Sequence, residues 1–204
     1  MTELPNELRS QIEAEMNSIH DGWTTIERGI EMAELVLEHC PKVFVELGCF
    51  GGKATLPVAL ALKHAGSGKI YTVDPWHTAP CIEDENEANK EWWSKVDLDS
   101  IHLKVMQMIW RLGLEQICIV IRARSQDVPE LFPEICMVNI DGNHSEIASC
   151  RDVNNYLPRL KKGGLCWLDD ADWASTQKCQ EIILQSCELM KSGENGHYKI
   201  FRKL

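Results

Sequence analysis

The sequence predicts a doubly wound α/β fold, with a mostly parallel sheet, helices on both faces and an antiparallel C-terminal strand. Short apolar runs of strand length alternate with longer segments whose apolar residues recur at helical spacing. Polar and glycine-containing motifs follow several of these runs, where the ligand-binding loops of such a sheet lie. The 204 residues, 44% of them hydrophobic and 25% charged, suit one domain with a substantial core.

Each element is predicted from its own pattern. Residues 1–40 are expected to form a helical extension with breaks, in which Asp21 caps the second part and Cys40-Pro41 ends it. Short apolar runs predict strands at 43–45, 70–73, 117–121, 136–140, 165–168 and, after a glycine turn, 198–201. Helical spacing predicts helices at 55–63, 101–114, 147–160 and 175–190. This alternation is typical of parallel strands joined by right-handed crossovers.

Residues 76–97 stand apart because they are polar and acidic, contain Trp92 and Trp93, and have no clean periodicity. We expect a long loop or short helices, with two interpretations. The segment closes over a site as a lid that excludes water, or its aromatic residues form a contact between two copies of the chain. No internal repeat or linker is visible, so residues 1–204 are predicted to form a single domain.

Charge and cysteine content exclude several classes. The net charge of −10, with no basic cluster longer than Lys161-Lys162, argues against nucleic-acid binding. No apolar run approaches the about 20 residues that cross a bilayer, and the N-terminus lacks a signal-peptide pattern. The nine cysteines are scattered without a C-x-x-C pair, which predicts buried thiols in a reducing compartment and no structural zinc site. We expect a cytoplasmic protein that acts on a small molecule.

The first strand leads into a glycine loop, residues 46–52, that suits a ligand with both a carboxylate and an ammonium group. Gly48 and Gly52 let the backbone approach the ligand, and the following helix offers free N–H groups to a carboxylate. Glu46 adds an acceptor for the ammonium group. A nicotinamide dinucleotide is disfavoured because the loop lacks the G-x-G-x-x-G spacing. An ordinary strand–helix turn is the remaining alternative.

Four further residues are candidates for binding a nucleoside. Asp74 ends the second strand, 28 residues after Glu46, where an acidic side chain can accept both ribose hydroxyls. Trp76 is expected either to lie against adenine or to form a hydrophobic plug beneath the long segment. Ser125 and Gln126 follow the third strand, where the adenine ring would lie.

Three aspartates follow two strands that we expect to be neighbours: Asp141 after the fourth strand, and Asp169 and Asp170 after the fifth. Carboxylates brought so close repel one another unless protons or a cation relieve them, and Mg²⁺ prefers such oxygen ligands. Helix capping is the alternative for each aspartate alone. His144 is placed to take a proton from a hydroxyl, or else to cap a helix or orient an aspartate. His77 is a lesser candidate.

The motifs at 46–52 and 141–144, together with LPRLKKGGLCWLDD at 157–170, resemble those of class I S-adenosylmethionine (SAM) dependent O-methyltransferases. The resemblance spans residues 43–173. Within the family, the motifs are most similar to those of a metal-dependent branch that includes macrolide-sugar O-methyltransferases and cephalosporin-hydroxylase-like proteins. It implies a Rossmann-like fold and SAM as cofactor, with Asp141 in the site.

The same resemblance implies roles for the later motifs. A metal is held by the positions matching Asp141, Asp169 and Asp170, and in the sugar-modifying branch a histidine matching His144 acts as base. Catechol-type relatives have a lysine at that spacing. Family members end in more sheet than we expect after Trp173, where the tail is short and suggests one hairpin, so the acceptor side of the site is the part that the resemblance defines least.

We therefore expect a SAM-dependent methyltransferase, with Mg²⁺ helping to methylate a hydroxyl of a small-molecule acceptor. One alternative is a metal-independent N-methyltransferase or a hydroxylase-like enzyme on the same fold. Another is a non-catalytic SAM-binding module, which is disfavoured because such a module has no need of three converging carboxylates.

Overall fold

The computed structural model describes residues 3–204, which contain eight helices and seven strands in one sheet. The helices are α1 (Asn6–Ser18), α2 (Ile26–His39), α3 (Thr55–Ala65), α4 (Thr78–Cys81), α5 (Glu87–Trp93), α6 (Leu98–Arg111), α7 (Glu146–Tyr156) and α8 (Gln177–Leu184). The strands are β1 (Val43–Leu47), β2 (Lys69–Asp74), β3 (Cys118–Arg122), β4 (Ile135–Ile140), β5 (Leu160–Leu168), β6 (Cys187–Ser192) and β7 (Lys199–Lys203).

The sheet has the order β3-β2-β1-β4-β5-β7-β6. Strands β1 to β5 pair in parallel, and β7 is antiparallel to both of its neighbours. Apolar side chains form a buried cluster on each face of the sheet, one packed mainly with α1, α2, α3 and α6, and the other with α7 and α8. The predicted fold class is confirmed. The strand order reverses between β1 and β4, and ligands of such sheets bind at the carboxyl ends beside that reversal.

The N-terminal extension forms two helices, but its predicted cap is wrong. Thr25, and not Asp21, caps α2, since its hydroxyl accepts a hydrogen bond from the Arg28 amide at 3.2 Å. The Asp21 carboxylate instead accepts a hydrogen bond from Lys104 at 2.8 Å. The turn between α1 and α2 thereby packs beside the loop that follows β1, since a Cβ built on Gly51 would meet the Asp21 carbonyl.

The helix predicted over 175–190 is wrong in its second half, because α8 ends at Leu184 and β6 follows. Leu189 and Met190 suggested a longer helix, but they are 48% and 49% exposed. The backbone here pairs with β7, whose edge would otherwise present unpaired N–H and C=O groups. The β6–β7 hairpin completes the sheet, in line with the single short hairpin expected after Trp173.

The 76–97 segment contains the two short helices α4 and α5, in line with the predicted loop or short helices. Within residues 3–204, no helix is both long and apolar enough to cross a membrane. The nine cysteines are free thiols, most of them buried or partly buried.

Candidate active site

A cavity of about 460 Å³ opens at the carboxyl ends of the parallel strands, beside the strand reversal. Its size is in the range of about 300–1,000 Å³ common for small-molecule sites. Loops after β1 to β5 line it, together with the turn between α1 and α2, the 76–97 segment and the β6–β7 turn. Most of the predicted site residues line it: Gly48, Asp74, Ser125, Gln126, Asp141, His144, Asp169 and Asp170.

The glycine loop is held by Asp74. One carboxylate oxygen accepts hydrogen bonds from the amides of Cys49 and Phe50 at 3.0 and 2.9 Å, and the other accepts from Trp76 at 2.7 Å. Burial raises the pKa of Asp74, and these three backbone donors oppose the rise. The carboxylate therefore shapes the loop and still lines the cavity.

Gly48 brings the loop against the end of β4. Its φ of +88° lies in the left-handed region, and a Cβ there would stand 2.0 Å from the Asp141 carbonyl oxygen. Only glycine fits this close approach, so the fold itself requires a glycine at position 48, where the cavity begins.

Glu46, predicted to bind an ammonium group, lies outside the cavity lining. It belongs to β1, and its buried carboxylate accepts hydrogen bonds from the hydroxyls of Thr72, at 2.6 Å, and Thr55. Burial raises the pKa of Glu46 to about 7. Because side chains alternate along a strand, Glu46 faces an interior layer, and its contact with an ammonium group stays a prediction.

Gly52 and Trp76 also lie outside the cavity lining, and their contacts with the cofactor stay predictions. A Cβ on Gly52 would meet Met108 of α6 at 3.1 Å, so its face is packed against a helix. Trp76 is buried, with its ring 4.5 Å from that of His102, and donates a hydrogen bond to the Phe50 carbonyl at 2.9 Å. Of the two interpretations of Trp76, the structure shows the hydrophobic plug.

The loop after β3 presents polar groups to the cavity. Ser125 donates a hydrogen bond to Asp152 at 2.6 Å, and burial raises the pKa of Asp152 to about 6. Tyr156 donates to the Ser125 carbonyl at 2.6 Å and so fixes the loop. The buried Oε1 of Gln126 has no hydrogen-bond partner within the described part of the chain, which leaves it available to a ligand N–H.

The three aspartates converge where β4 and β5 end. The Asp141 amide donates to the Leu47 carbonyl at 2.9 Å, and the Asp169 amide donates to the Ile140 carbonyl at 3.1 Å, which keeps the neighbouring strand ends together. Burial, and then the charge of Asp169, raise the pKa of Asp141 well above its usual value. Burial also raises the pKa of Asp170.

Arg28 of α2 is a cation of this acidic cluster that sequence reasoning missed. Its buried guanidinium forms an ion pair with Asp169 and lies 5.2 Å from the ring centre of Tyr198. Nothing in the sequence singles out Arg28, because the ion pair joins two segments 141 residues apart.

Two histidines flank Asp170 from opposite sides. His144 Nε2 lies 3.1 Å from one Asp170 oxygen and 3.7 Å from Asp141, whereas His197 Nε2 lies 3.2 Å from the other Asp170 oxygen. His197 was missed because it follows a glycine turn with no motif around it. The β6–β7 turn brings it in, and its carbonyl accepts a hydrogen bond from the Ala171 amide at 2.8 Å.

The cluster fits a divalent cation by its donors and its charge. Ligand atoms of Asp169, Asp170 and His197 all lie within 4.8 Å of one another. Asp141 is outside that set but adjoins Asp169. Ionisation of all three aspartates would leave two negative charges after pairing with Arg28, which a divalent cation would balance, and oxygen with nitrogen ligands suit such an ion.

Aromatic rings form the wall of the cavity beyond the glycine loop. Trp23 stacks on Phe50 with ring centres 5.1 Å apart, and Trp92 meets Trp93 edge-on at 4.8 Å. Trp23 comes from the turn between α1 and α2, and the tryptophan pair comes from α5. The helical extension and the 76–97 segment therefore both contribute to the cavity.

The 76–97 segment is tied to the body of the protein beside the cavity. Glu83 forms an ion pair with Arg124 and lies 3.9 Å from Arg151. Asn143 donates hydrogen bonds to the carbonyls of Pro80 and Glu83 at 3.1 and 2.9 Å. These contacts support the lid interpretation, and both the lid and the contact between two copies stay predictions.

The weaker candidate in this segment, His77, does not line the cavity. Its Nδ1 accepts a hydrogen bond from the Ala79 amide at 3.1 Å and caps α4. The residue therefore has a local structural role.

The chain belongs to a family of methyltransferase domains, whose model it matches over residues 45–171, more than half of its length. The fold and this match together confirm the predicted class, the class I methyltransferases. A search of curated proteins finds no match to the sequence.

Solved structures share the fold at low sequence identity. A methyltransferase of Podospora anserina bound to S-adenosylhomocysteine (SAH) has a TM-score of 0.69 and 12% identity, covering 98% of this chain and 89% of that one. The O-methyltransferase TomG of Streptomyces achromogenes in complex with SAM has a TM-score of 0.66 and 13% identity, covering 98% and 91%. A Bacillus cereus O-methyltransferase in complex with SAH has a TM-score of 0.64 and 14% identity, covering 98% and 92%.

Proposed function

We propose that the protein transfers a methyl group from SAM to a hydroxyl of a small-molecule acceptor, with a divalent cation, expected to be Mg²⁺, beside the acceptor. The observation that carries this proposal is the convergence of three aspartates and His144 on a cavity whose other end is the glycine loop. The O-methyltransferases among the similar structures support the same reaction class.

The glycine loop and the ends of β2 and β3 are proposed to bind SAM. The backbone at Gly48 admits the methionine part, Asp74 accepts the ribose hydroxyls, and Ser125 and Gln126 face the adenine. The free Oε1 of Gln126 supports this placement, since it matches an amino N–H. When bound, SAM supplies a methyl group on a sulfonium, which the acceptor oxygen displaces in line.

On the acceptor side, Asp169 and Asp170 with Asp141 would hold the cation, which when bound lowers the pKa of a neighbouring hydroxyl. His144 Nε2 faces Asp141 and Asp170, and we assign it to receive the acceptor proton. The rings of Trp92 and Trp93 line the cavity, and closure of their segment over bound ligands would exclude water from the reacting groups. The net charge of −10 supports a small molecule and disfavours a nucleic acid.

One observation favours a second candidate, a methyltransferase that needs no metal. Arg28 already pairs with Asp169 and supplies one positive charge to the cluster. In that enzyme the arginine would stand in for the cation, the acceptor would be an amine or an activated hydroxyl, and a chelator would leave turnover unchanged.

The test is calorimetric titration of SAM and SAH into the protein with Mg²⁺ and with EDTA. We expect micromolar binding in both conditions, a large loss in Asp74→Ala, and no change in the matched control Glu115→Ala, an exposed acid away from the cavity. Screening hydroxylated acceptors, with mass spectrometry to locate the methylated atom, then tests the chemistry. Absence of SAM and SAH binding in both conditions would overturn the proposal, and SAM binding without turnover on any acceptor would favour the binding module.

A further inference from the structure

We propose that His197 is a direct ligand of the cation in the acidic cluster, and that the site therefore prefers a first-row transition metal such as Mn²⁺ or Co²⁺ over Mg²⁺. The inference depends on the proposed function for one point, namely that the cluster binds a divalent cation. It assigns a ligand from the C-terminal hairpin that the motif resemblance, which ends at residue 173, does not contain.

The first support is position. His197 Nε2 lies 3.2 Å from Asp170, and its ligand atom falls within 4.8 Å of those of Asp169 and Asp170. These spacings place the three atoms around one point that a single ion can contact. His197 also lines the cavity, as do Asp169 and Asp170.

The second support is orientation. The other ring nitrogen of His197, Nδ1, lies 3.0 Å from a carboxylate oxygen of Asp172. Metal-bound histidines almost always donate their second ring N–H to a carboxylate or carbonyl, which fixes the tautomer that leaves Nε2 free for the metal. The hydrogen bond between the Ala171 amide and the His197 carbonyl fixes the backbone of the same residue.

His144 provides the contrast within the same site. Both carboxylates beside it, Asp141 and Asp170, approach its Nε2 atom, so neither orients the ring from the far nitrogen. Its ring instead lies 5.4 Å from that of Trp173. The two carboxylates beside His144 Nε2 would stabilise the imidazolium that forms when His144 receives a proton, whereas Asp172 orients His197 from its far nitrogen, as metal ligands are oriented.

The third support is the chemistry of the donors. Mg²⁺ favours oxygen ligands, while imidazole shifts preference towards first-row transition metals. Arg28 already uses one oxygen of Asp169, which lowers the number of carboxylate oxygens left for a hard cation. A donor set in which an imidazole joins the aspartates therefore favours a first-row transition metal over Mg²⁺.

The experiment measures the affinities of Mn²⁺, Co²⁺ and Mg²⁺ for the protein without SAM or acceptor. Mn²⁺ is followed by its electron paramagnetic resonance signal, and the other ions by competition. We expect Mn²⁺ to bind about tenfold more tightly than Mg²⁺, His197→Ala to remove that preference, and Asp172→Asn to weaken Mn²⁺ binding by about 10- to 100-fold. The control His64→Ala, at an exposed histidine outside the cavity, should change nothing.

A spectroscopic readout identifies the ligand. Electron spin echo measurements on the Mn²⁺ complex should show coupling to an imidazole nitrogen that is lost in His197→Ala and His197→Gln and kept in His144→Ala. Circular dichroism establishes whether each variant is folded. If His197→Ala does not fold, His197→Gln provides the same test of the imidazole ligand.

The outcomes separate the two proposals. Equal affinity for Mn²⁺ and Mg²⁺, or nitrogen coupling that survives in His197→Gln, overturns the role of His197 and leaves an oxygen-only O-methyltransferase site. Absence of all cation binding, in a protein that binds SAM and methylates an acceptor, overturns the inference and the metal together while leaving methyl transfer intact.

Discussion

The carboxylates at the two ends of the cavity have different kinds of partners. At the glycine loop, Asp74 accepts three backbone hydrogen bonds and so meets its needs within the chain. At the ends of β4 and β5, three aspartates share one arginine and two flanking histidines, and burial with mutual repulsion raises the pKa of Asp141. A carboxylate that accepts several backbone amides needs no cation beside it and can still accept ligand hydroxyls, whereas a group of carboxylates with too little positive charge favours a bound cation.

The largest expected effect is at the acidic end. Replacing Asp170 with alanine removes the carboxylate between His144 and His197, and we expect kcat/KM to fall by about 10³-fold, or about 4 kcal/mol of transition-state stabilisation. The measurement is the rate of SAH release with a methylated acceptor. The exposed Asp127 provides the control, Asp127→Ala, which should keep normal turnover. A loss below about tenfold for Asp170→Ala would remove the distinction between the two ends.

A second, smaller effect concerns Glu46 and pH. Its pKa of about 7 in the folded protein exceeds the value of 4.5 for the free side chain, so the folded state holds a proton that the unfolded chain releases between these values. Stability therefore falls as pH rises through this window, by about 3 kcal/mol from this group.

The Glu46→Gln variant should lack that part of the pH dependence and keep the SAM affinity of the wild type. Urea denaturation at pH 5 and pH 8 measures the pH dependence of stability, and calorimetry measures the SAM affinity. A large loss of SAM affinity would show that Glu46 contacts the cofactor after all, and would bring back the role predicted from its motif.

Substitution of Gly48 by alanine tests the close approach between the glycine loop and β4. The new Cβ would overlap the Asp141 carbonyl, so we expect a loss of at least about 2 kcal/mol in the free energy of unfolding and weaker SAM binding. Gly66→Ala is the matched control, because Gly66 also has a positive φ, +65°, but no atom lies within 4 Å of its added Cβ. Equal losses would show that φ alone matters at Gly48.

The smallest effect is expected at Trp76. The variant Trp76→Phe loses the hydrogen bond from the indole N–H to the Phe50 carbonyl and should be less stable by about 1 kcal/mol. Its SAM affinity should stay within about twofold of the wild type, since the ring lies outside the cavity lining. A tenfold loss of affinity would mean that the ring stacks on the adenine in solution.

Sequence reasoning placed correctly in the cavity those residues that follow a strand, such as Asp141, Asp169 and Asp170. Residues after the last strand position must lie at the sheet edge, so their place follows from the strand assignments alone. Glu46, one position inside β1, lies outside the cavity lining, because adjacent strand residues face opposite layers and a short apolar run does not say which. For Trp76 the sequence left two interpretations open, and the ring is buried.

Arg28 and His197 could not have been found from local patterns. Each enters the site because a distant element packs there, α2 in one case and the β6–β7 hairpin in the other. The first strand of the hairpin was misread as part of a helix, because the residues of β6 have no alternation of buried and exposed positions, only Cys187 being buried. Pairing with β7, and not local preference, makes this segment a strand.

The ion pair between Arg28 and Asp169 has a consequence for the order in which the molecule folds. It joins residues 141 positions apart, and the hydrogen bond between Tyr198 and Glu31 joins residues 167 apart. Contacts between such distant segments form late, since the entropy of closing a long loop is lost before the contact stabilises the chain. During refolding, ligand binding should therefore recover later than the far-ultraviolet dichroism of the helices and the central strands.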